Sequence, residues 1–294
     1  MFPLSEGEGD SRYDLGRMPS TVDLHSHSSI SDGSERPDVV VRKAAAAGVH
    51  MLALTDHDGT DGLDEARAAA QEAGIELIPG IELSAEEGNH ILGYFLEYHD
   101  SSLQATLRRL QEGREGRAHE MLRKLGGLGM PLDFTRLKRI ADGAIGRPHV
   151  ARAMLERGYV SSIEEAFKRW LGNGQPGYIP SEKLAAAEAI DMIRQAGGVA
   201  SWAHPDWPEG AIRYRPTEDT LRTLVDAGLG GIETYYYEHD PEKVSYFRRL
   251  AAQYDLVPTG GSDYHGPEVR DVELGSVVVP EESVERLRQR ARER

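Results

Sequence analysis

Seven short β-like runs recur along this chain, at 21–24, 51–54, 76–81, 90–96, 199–203, 231–235 and 256–259. Between many of them lie helical patterns with start and stop signals. "RPDVVVRKAAAAG" has Pro37 near its start and Gly48 as its stop, "LDEARAAAQEAG" ends on Gly74, and "SEKLAAAEAIDMIRQAGG" opens on Ser181 and closes on Gly197 and Gly198. "PTEDTLRTLVDAG" and "DPEKVSYFRRLAAQYD" repeat the scheme. Proline in a first turn and glycine just past the end are what helix termini require. Strands that alternate with helices in this way imply an α/β fold whose strands form a parallel sheet, open or closed into a barrel.

The stretch 100–183 breaks the alternation. It has helical segments at about 103–125, 133–141, 149–157 and 163–170, separated by breaks such as "GGLGMP" and "GNGQPG", and no convincing strand. It reads as a helical insertion between two halves of the α/β core. The expected organisation is a mobile Gly- and acid-rich tail at 1–19, a first core part at 20–99, the insertion at 100–183, and a second core part with a C-terminal helix at 184–294.

Charge separates the same regions. The chain carries 49 acidic against 34 basic residues, a net −15, which repels long polyanions and disfavours a protein that coats duplex nucleic acid. Within 100–183, however, 15 Lys and Arg face 10 Asp and Glu. Such a basic block suits a small anionic substrate, or simply solvated helix faces. No run approaches the roughly 20 apolar residues of a membrane span, and the N-terminal residues lack a signal-peptide pattern, so a cytoplasmic location is expected. With no cysteine in the chain, any metal must sit on His, Asp and Glu.

Those residues fall at strand ends. His25 and His27 follow the first run, Asp56, His57 and Asp58 the second, and Glu82 the third. His90 begins the fourth, His204 follows the fifth, and Asp263 with His265 follow the last. Six of the seven runs thus deliver a His or a carboxylate, five of them at the C-terminal end. In a parallel barrel those ends converge on one mouth. His-x-His on an extended segment turns both rings to one face, and Asp263-x-His265 offers the same geometry. Imidazole with carboxylate suits Zn²⁺, Mn²⁺ or Fe²⁺. Leaving Asp56 and Asp58 aside and adding Asp32 makes nine candidates, more than one ion takes, so more than one metal is expected. Each residue also has a plainer reading: Asp32 as a turn residue before Gly33, Glu82 as a cap, His90 as an ordinary core histidine. The joint placement outweighs these. His50, His99, His119 and His239 lack it and are read as structural.

Together, "DLHSHSSISDG", "LALTDHD", "GIELS", "HILGY", "AHP" and "GSDYHG" resemble the PHP (polymerase and histidinol phosphatase) superfamily of metal-dependent phosphoesterases over about residues 21–280. The resemblance implies a distorted seven-stranded (βα) barrel with a helical insertion and two to three divalent metals (Mn, Zn, Fe or Mg). Carried over by motif, one metal falls on His25, His27, Glu82 and Asp263, a second on Glu82, His90 and His204, and a third on Asp32, His57 and His265. The insertion "GRPHVARAMLERGYVSSIEEAFKRWLGNGQPGYIP" resembles the subgroup of nucleoside 3′,5′-bisphosphate and AMP phosphatases and related 5′-to-3′ exoribonucleases. That match places nucleotide-binding groups on Arg114, Arg117, Arg147 and His149. Arginine forks pair bidentately with phosphate, and a histidine near the mouth can donate to a phosphoryl or leaving oxygen. An exposed, salt-bridging helix face is the plainer reading of Arg114 and Arg117.

The implied reaction is hydrolysis of nucleotide phosphomonoesters by a metal-bridging hydroxide, with Arg147 and His149 at the reacting group and exonucleolytic cleavage of short RNA as an extension. Asp56 and Asp58 are candidates to orient the rings. Histidinol-phosphate phosphatase is the rival enzyme reading, and a non-catalytic binding module the rival of another class. Two segments depart from a close match: "DWPEGAIRYRPTEDT", and the consecutive tyrosines of "ETYYYEHD", which suit stacking on a base or packing at the rim.

Overall fold

The computed structural model describes residues 21–141, 145–180, 183–205, 208–209, 212–213 and 218–293. The expected tail at 1–19, Ser181, and much of the "DWPEGAIRYRPTEDT" segment lie outside the described residues.

All seven expected strands form, as β1 (Val22–Asp23), β2 (Met51–Leu54), β3 (Glu76–Ser84), β4 (His90–Tyr94), β5 (Val199–Trp202), β8 (Gly231–Tyr236) and β9 (Val257–Gly261). They make one sheet in the order β1-β2-β3-β4-β5-β8-β9. An additional two-stranded ribbon, β6 (Pro208–Glu209) with β7 (Ile212–Arg213), stands apart from it. Parallel contact between the two outermost strands nearly closes the sheet: the Leu24 amide donates to the Gly260 carbonyl at 3.1 Å, and the His27 amide to the Tyr264 carbonyl at 2.7 Å. The fold is the distorted seven-stranded (βα) barrel that the resemblance implies.

One expectation needs correcting. The sheet is not wholly parallel, because β4 runs antiparallel to both β3 and β5. The cause is the link from Ser84 to His90, five residues with one short turn at Glu86–Gly88. A parallel crossover needs a dozen residues or more, whereas an antiparallel neighbour needs only a turn. The reversal brings the start of β4, and hence His90, to the rim where the parallel strands end.

Alternation along the strands sorts the apolar residues into two layers. Val22, Leu24, Ala53, Ile78, Leu92, Tyr94, Val199 and Val257 fill the barrel, and Val284 and Leu287 of α10 (Glu281–Arg292) pack against them. Hydrogen bonds tie this helix across strand beginnings: Ser283 to the Pro258 carbonyl and Arg288 to Glu76. It forms the floor of the barrel. Outside the sheet, α1 (Pro37–Ala46), α2 (Leu63–Ala73), α7 (Ala186–Gln195), α8 (Glu218–Asp226) and α9 (Pro241–Gln253) bury Val40, Ala66, Ile193, Leu221 and Phe247 in a second layer. The helix expected to open at Ser181 begins at Ala186.

The insertion is helical. α3 (Ser101–Gly127) starts where the Asp100 carboxylate accepts the Ser102 and Leu103 amides. Its first turns bury Leu103, Leu107 and Leu110 against the barrel. Its last turns bury Ala118, Met121 and Leu125 in a separate apolar cluster with α4 (Phe134–Ala141), α5 (Arg147–Glu156) and α6 (Ile163–Ala166), which continues into a π turn over Phe167–Leu171. At 27 residues, α3 spans on the order of 40 Å. Arg114 and Arg117, three apart and so on one face, sit where it passes from one core to the other.

The seam between β1 and β9 depends on a missing side chain. A Cβ at Gly261 would lie 2.4 Å from the His25 amide nitrogen. Gly261→Ala should therefore destabilise the protein by about 1–3 kcal/mol or more and lower its thermal midpoint. An unchanged midpoint in calorimetry would contradict this account of closure.

Candidate metal centre

The nine candidate ligands meet at one rim of the barrel. Glu82, at the end of β3, is their hub and is only 1% exposed. Its Oε2 lies 3.2 Å from His25 Nε2, 3.1 Å from His27 Nε2 and 3.4 Å from His57 Nδ1. Its Oε1 lies 2.7 Å from His90 Nδ1 and 2.9 Å from His204 Nε2. Asp263 Oδ1 stands 3.3 Å from both His25 Nε2 and His27 Nε2. Asp32 closes the other side, 3.3 Å from His265 Nε2 and 3.8 Å from both His57 Nε2 and His27 Nδ1. The His-x-His geometry holds: the two Nε2 atoms of His25 and His27 are 3.1 Å apart. His50, His99, His119 and His239 lie outside this cluster, with His119 stacked on Phe134 and His239 on Phe247.

The backbone is strained at the rim. His204, Asp58 and Asp263 have φ of 24°, 49° and 52°, a region that side chains with a Cβ rarely occupy and that clusters at functional sites. The surrounding hydrogen bonds hold these conformations. Asp263 Oδ2 accepts from Tyr236 Oη at 3.0 Å and pairs with Arg270, which leaves Oδ1 toward the imidazoles. Asp23 accepts the Ser262 amide at 2.9 Å through Oδ1 and the Gly275 amide at 2.9 Å through Oδ2.

Asp56 and Asp58 do not hydrogen-bond the rings they were expected to orient. Asp56 accepts from the Ser28 amide and from the Ser28 and Ser31 hydroxyls. Asp58 accepts the Ser84 amide at 2.8 Å and pairs with Arg114. Outside the nine, Glu233 of β8 reaches a ring instead, 3.0 Å from His25 Nδ1 and fully buried. Its strand is the one whose end offered no ligand in the sequence. Of the neighbouring tyrosines, Tyr236 turns to the centre, Tyr235 packs on the barrel's inner cluster, and Arg270 lies over the Tyr237 ring.

Charge explains why such a cluster asks for cations. Burial opposes ionisation of Glu82, yet His57, His25 and His90 outweigh it and hold its carboxyl well below the usual range. Asp263 is held down in the same way against burial, by His25 and His265. Burial also opposes a charge on His27, but Asp263 and Glu82 raise it to about 10, whereas burial drives His57 down to about 3. The carboxylates thus hold a positive charge in their midst, and not every imidazole can carry it. His27 Nδ1 and His57 Nδ1 are buried and lack a hydrogen-bond partner, although a carboxylate oxygen lies 3.8 Å and 3.4 Å away. Buried ring nitrogens without hydrogen-bond partners, each facing a carboxylate oxygen, fit divalent cations.

Beside the centre lies a cavity of about 110 Å³ whose wall joins Asp32, His57 and His90 to Arg114, Arg147 and His149. The arginines are held from behind. Arg114 is anchored by Asp58 and Ser84, and Arg117 donates to the Ile179 carbonyl at 2.7 Å. The Arg117 and Arg147 guanidiniums each lie 5.8 Å from the Tyr178 ring. Burial and the nearby Arg147 lower both Arg114 and Arg117 to about 10, so at neutral pH they remain charged, but in crowded company. His149 Nδ1 accepts the Gly146 amide at 2.9 Å, and burial lowers its pKa. Its ring is then a neutral donor at pH 7.

A (βα) barrel with this rim is the architecture of a metal-dependent phosphoesterase, a hydrolase of phosphoric ester bonds. The crystal structure of a protein from Bifidobacterium adolescentis, assigned as a metal-dependent phosphoesterase, superposes with a TM-score of 0.84 at 29% identity, over 91% of this chain and 95% of its own. The PHP domain model matches residues 23–172, and the chain belongs to the PHP domain family. Among its relatives, a 5′-3′ exoribonuclease of Haemophilus influenzae is 38% identical over 257 residues, covering 85% of this chain and 92% of that protein. A 3′,5′-nucleoside bisphosphate phosphatase of Chromobacterium violaceum is 36% identical over 261 residues, covering 84% and 88%.

His57→Ala and Glu82→Ala should each reduce bound divalent metal by about one equivalent per chain or more, and lower turnover by at least about 100-fold. Elemental analysis of the purified variants checks the first, and a phosphate-release assay the second. Retention of both properties by either variant would refute the assignment.

Proposed function

We propose that this chain hydrolyses phosphomonoesters of nucleotides, of the AMP or nucleoside 3′,5′-bisphosphate type, and removes nucleotides from the 5′ end of short RNA. The observation that carries the proposal is the shared cavity: residues of the candidate metal centre and four cationic side chains, Arg114, Arg117, Arg147 and Lys183, face one small space. An ester phosphate that reaches Asp32, His57 and His90 therefore passes Arg114, Arg117 and Arg147. The two relatives named above act on bisphosphonucleotides and RNA by name, which favours a nucleotide over histidinol phosphate.

In this reading His25, His27, Glu82 and Asp263 hold one cation, Glu82, His90 and His204 a second, and Asp32, His57 and His265 a third. The all-N/O donor set suits Mn, Zn, Fe or Mg. When bound there, such cations supply a nucleophile at neutral pH and polarise the phosphoryl oxygens. Glu82 presents its two oxygens to different imidazole groups, which suits a bridge. Arg114 and Arg147 neutralise the charge that grows on the transferred phosphoryl group and hold it in line. Arg117, steadied by the Ile179 carbonyl and the Tyr178 ring, lies further along the wall and receives the remainder of the substrate. His149, uncharged, donates a hydrogen bond to a phosphoryl or leaving oxygen. Retention of all nine candidate ligands in one cluster argues against a non-catalytic module. No described helix is long and apolar enough to cross a membrane, and we place the enzyme in the cytoplasm, with a small anionic phosphoester as its partner.

Two experiments test this. Given Mn²⁺, the protein should release phosphate from AMP and 3′-phosphoadenosine 5′-phosphate and shorten oligoribonucleotides from the 5′ end; release from histidinol phosphate alone would overturn the nucleotide reading. Arg147→Ala should raise KM by about tenfold or more, the worth of one hydrogen bond to a charged group, with metal content unchanged. An unaltered KM would remove Arg147 from the substrate site.

A further inference from the structure

Glu233 is a carboxylate with no exposure to solvent, and it touches two different members of the centre. Its Oε1 lies 3.0 Å from His25 Nδ1, and its Oε2 accepts the His204 backbone amide at 2.6 Å. Its place is on the far side of the His25 ring. His25 Nε2 faces His27, Glu82 and Asp263 at 3.1–3.3 Å, whereas Glu233 meets Nδ1. A cation shared by the first three is therefore not one that Glu233 ligates through this ring.

The strand is shaped to deliver it. The register of β8 on β9 runs from Glu233 opposite Thr259 to Tyr235 opposite Gly260, so one extra residue is bulged at Thr234. Such a bulge shifts the in-and-out phase of everything that follows. As a result Glu233 and Tyr236, three apart, both face the centre, where strict alternation would have turned Tyr235 there instead. Gly260 makes room for the bulge, since a Cβ at that position would lie 2.2 Å from the Tyr235 carbonyl oxygen.

We propose that Glu233 is a positioning residue for the metal centre. By accepting from His25 Nδ1–H it fixes the tautomer that leaves Nε2 to a cation, and it makes that ring a stronger donor. By accepting the His204 amide it holds the strained backbone from which the His204 ring reaches Glu82. The inference rests on the reading that His25 and His204 hold cations. It adds the residue that organises them.

The test is a Co²⁺ titration of the metal-free full-length protein, followed by visible absorption, for wild type, Glu233→Gln, Glu233→Asp and His25→Ala. Phosphate release at limiting and excess Mn²⁺ accompanies it. Glu233→Gln should bind Co²⁺ about 10–100-fold more weakly than wild type. Its kcat should fall at limiting Mn²⁺ and recover with excess, while KM for the nucleotide stays unchanged. Far-UV circular dichroism of each metal-free variant separates a fold defect, which metal can also rescue, from weakened binding by a folded protein. Glu233→Asp, which keeps the charge but shortens the reach, should weaken binding to an intermediate degree, and it decides the matter if the Gln variant does not fold. Co²⁺ affinity within about twofold of wild type in the folded Glu233 variants, with His25→Ala impaired, overturns the role of Glu233 alone. Equal binding by wild type and His25→Ala overturns the metal reading of His25, and this proposal with it.

Discussion

A buried carboxylate among imidazoles governs this structure. Glu82 lies within 3.4 Å of ring nitrogens from His25, His27, His57, His90 and His204, and with 1% exposure it has almost no water to offset its charge. An isolated ion in such a place would cost several kcal/mol. The arrangement is stable only if positive charge enters with it. Protons on some of the rings supply part of that charge, but repulsion between neighbouring imidazoles and their burial limit how many can be protonated, as the depressed pKa of His57 illustrates. Divalent cations meet the same demand without that limit.

The barrel exists to make this crowding possible. Five strands contribute their ends and β4 contributes its beginning, so six segments widely separated in sequence converge within a few ångströms. Closure between β1 and β9 is what brings His25 and His27 beside Asp263 and His265. The helical insertion then places cationic groups over the opening. Asp58, one residue from His57, pairs with Arg114 of the insertion, so the segment that carries a candidate ligand also braces a candidate phosphate-binding group.

Much of this was legible in the sequence, because the relevant signals are local. Apolar runs of four to seven residues mark the strands, and the residues at their ends mark the rim. The direction of β4 was equally legible in the five residues between Ser84 and His90, but the alternation of strands and helices suggested a uniform parallel sheet. Other features left no local trace. The pairing of Asp58 with Arg114 joins positions 56 apart in the chain, and a carboxylate next to His57 reads more naturally as a partner for an imidazole. Glu233 was hidden for a different reason: it lies inside the β8 run rather than beyond its end, and the orientation of Tyr236 depends on a bulge at Thr234. In "ETYYYEHD" nothing distinguishes the tyrosine that turns to the centre from its two neighbours.

The central claim is that Glu82 is shared between cations. Anomalous diffraction from crystals grown with Mn²⁺ or Zn²⁺ tests it most directly. At least two anomalous peaks are expected at the barrel rim, with the two Glu82 oxygens each at about 2.0–2.2 Å from a different peak. Peaks placed elsewhere, or a Glu82 that remains hydrogen-bonded to imidazoles with metal present in the crystal, would contradict it.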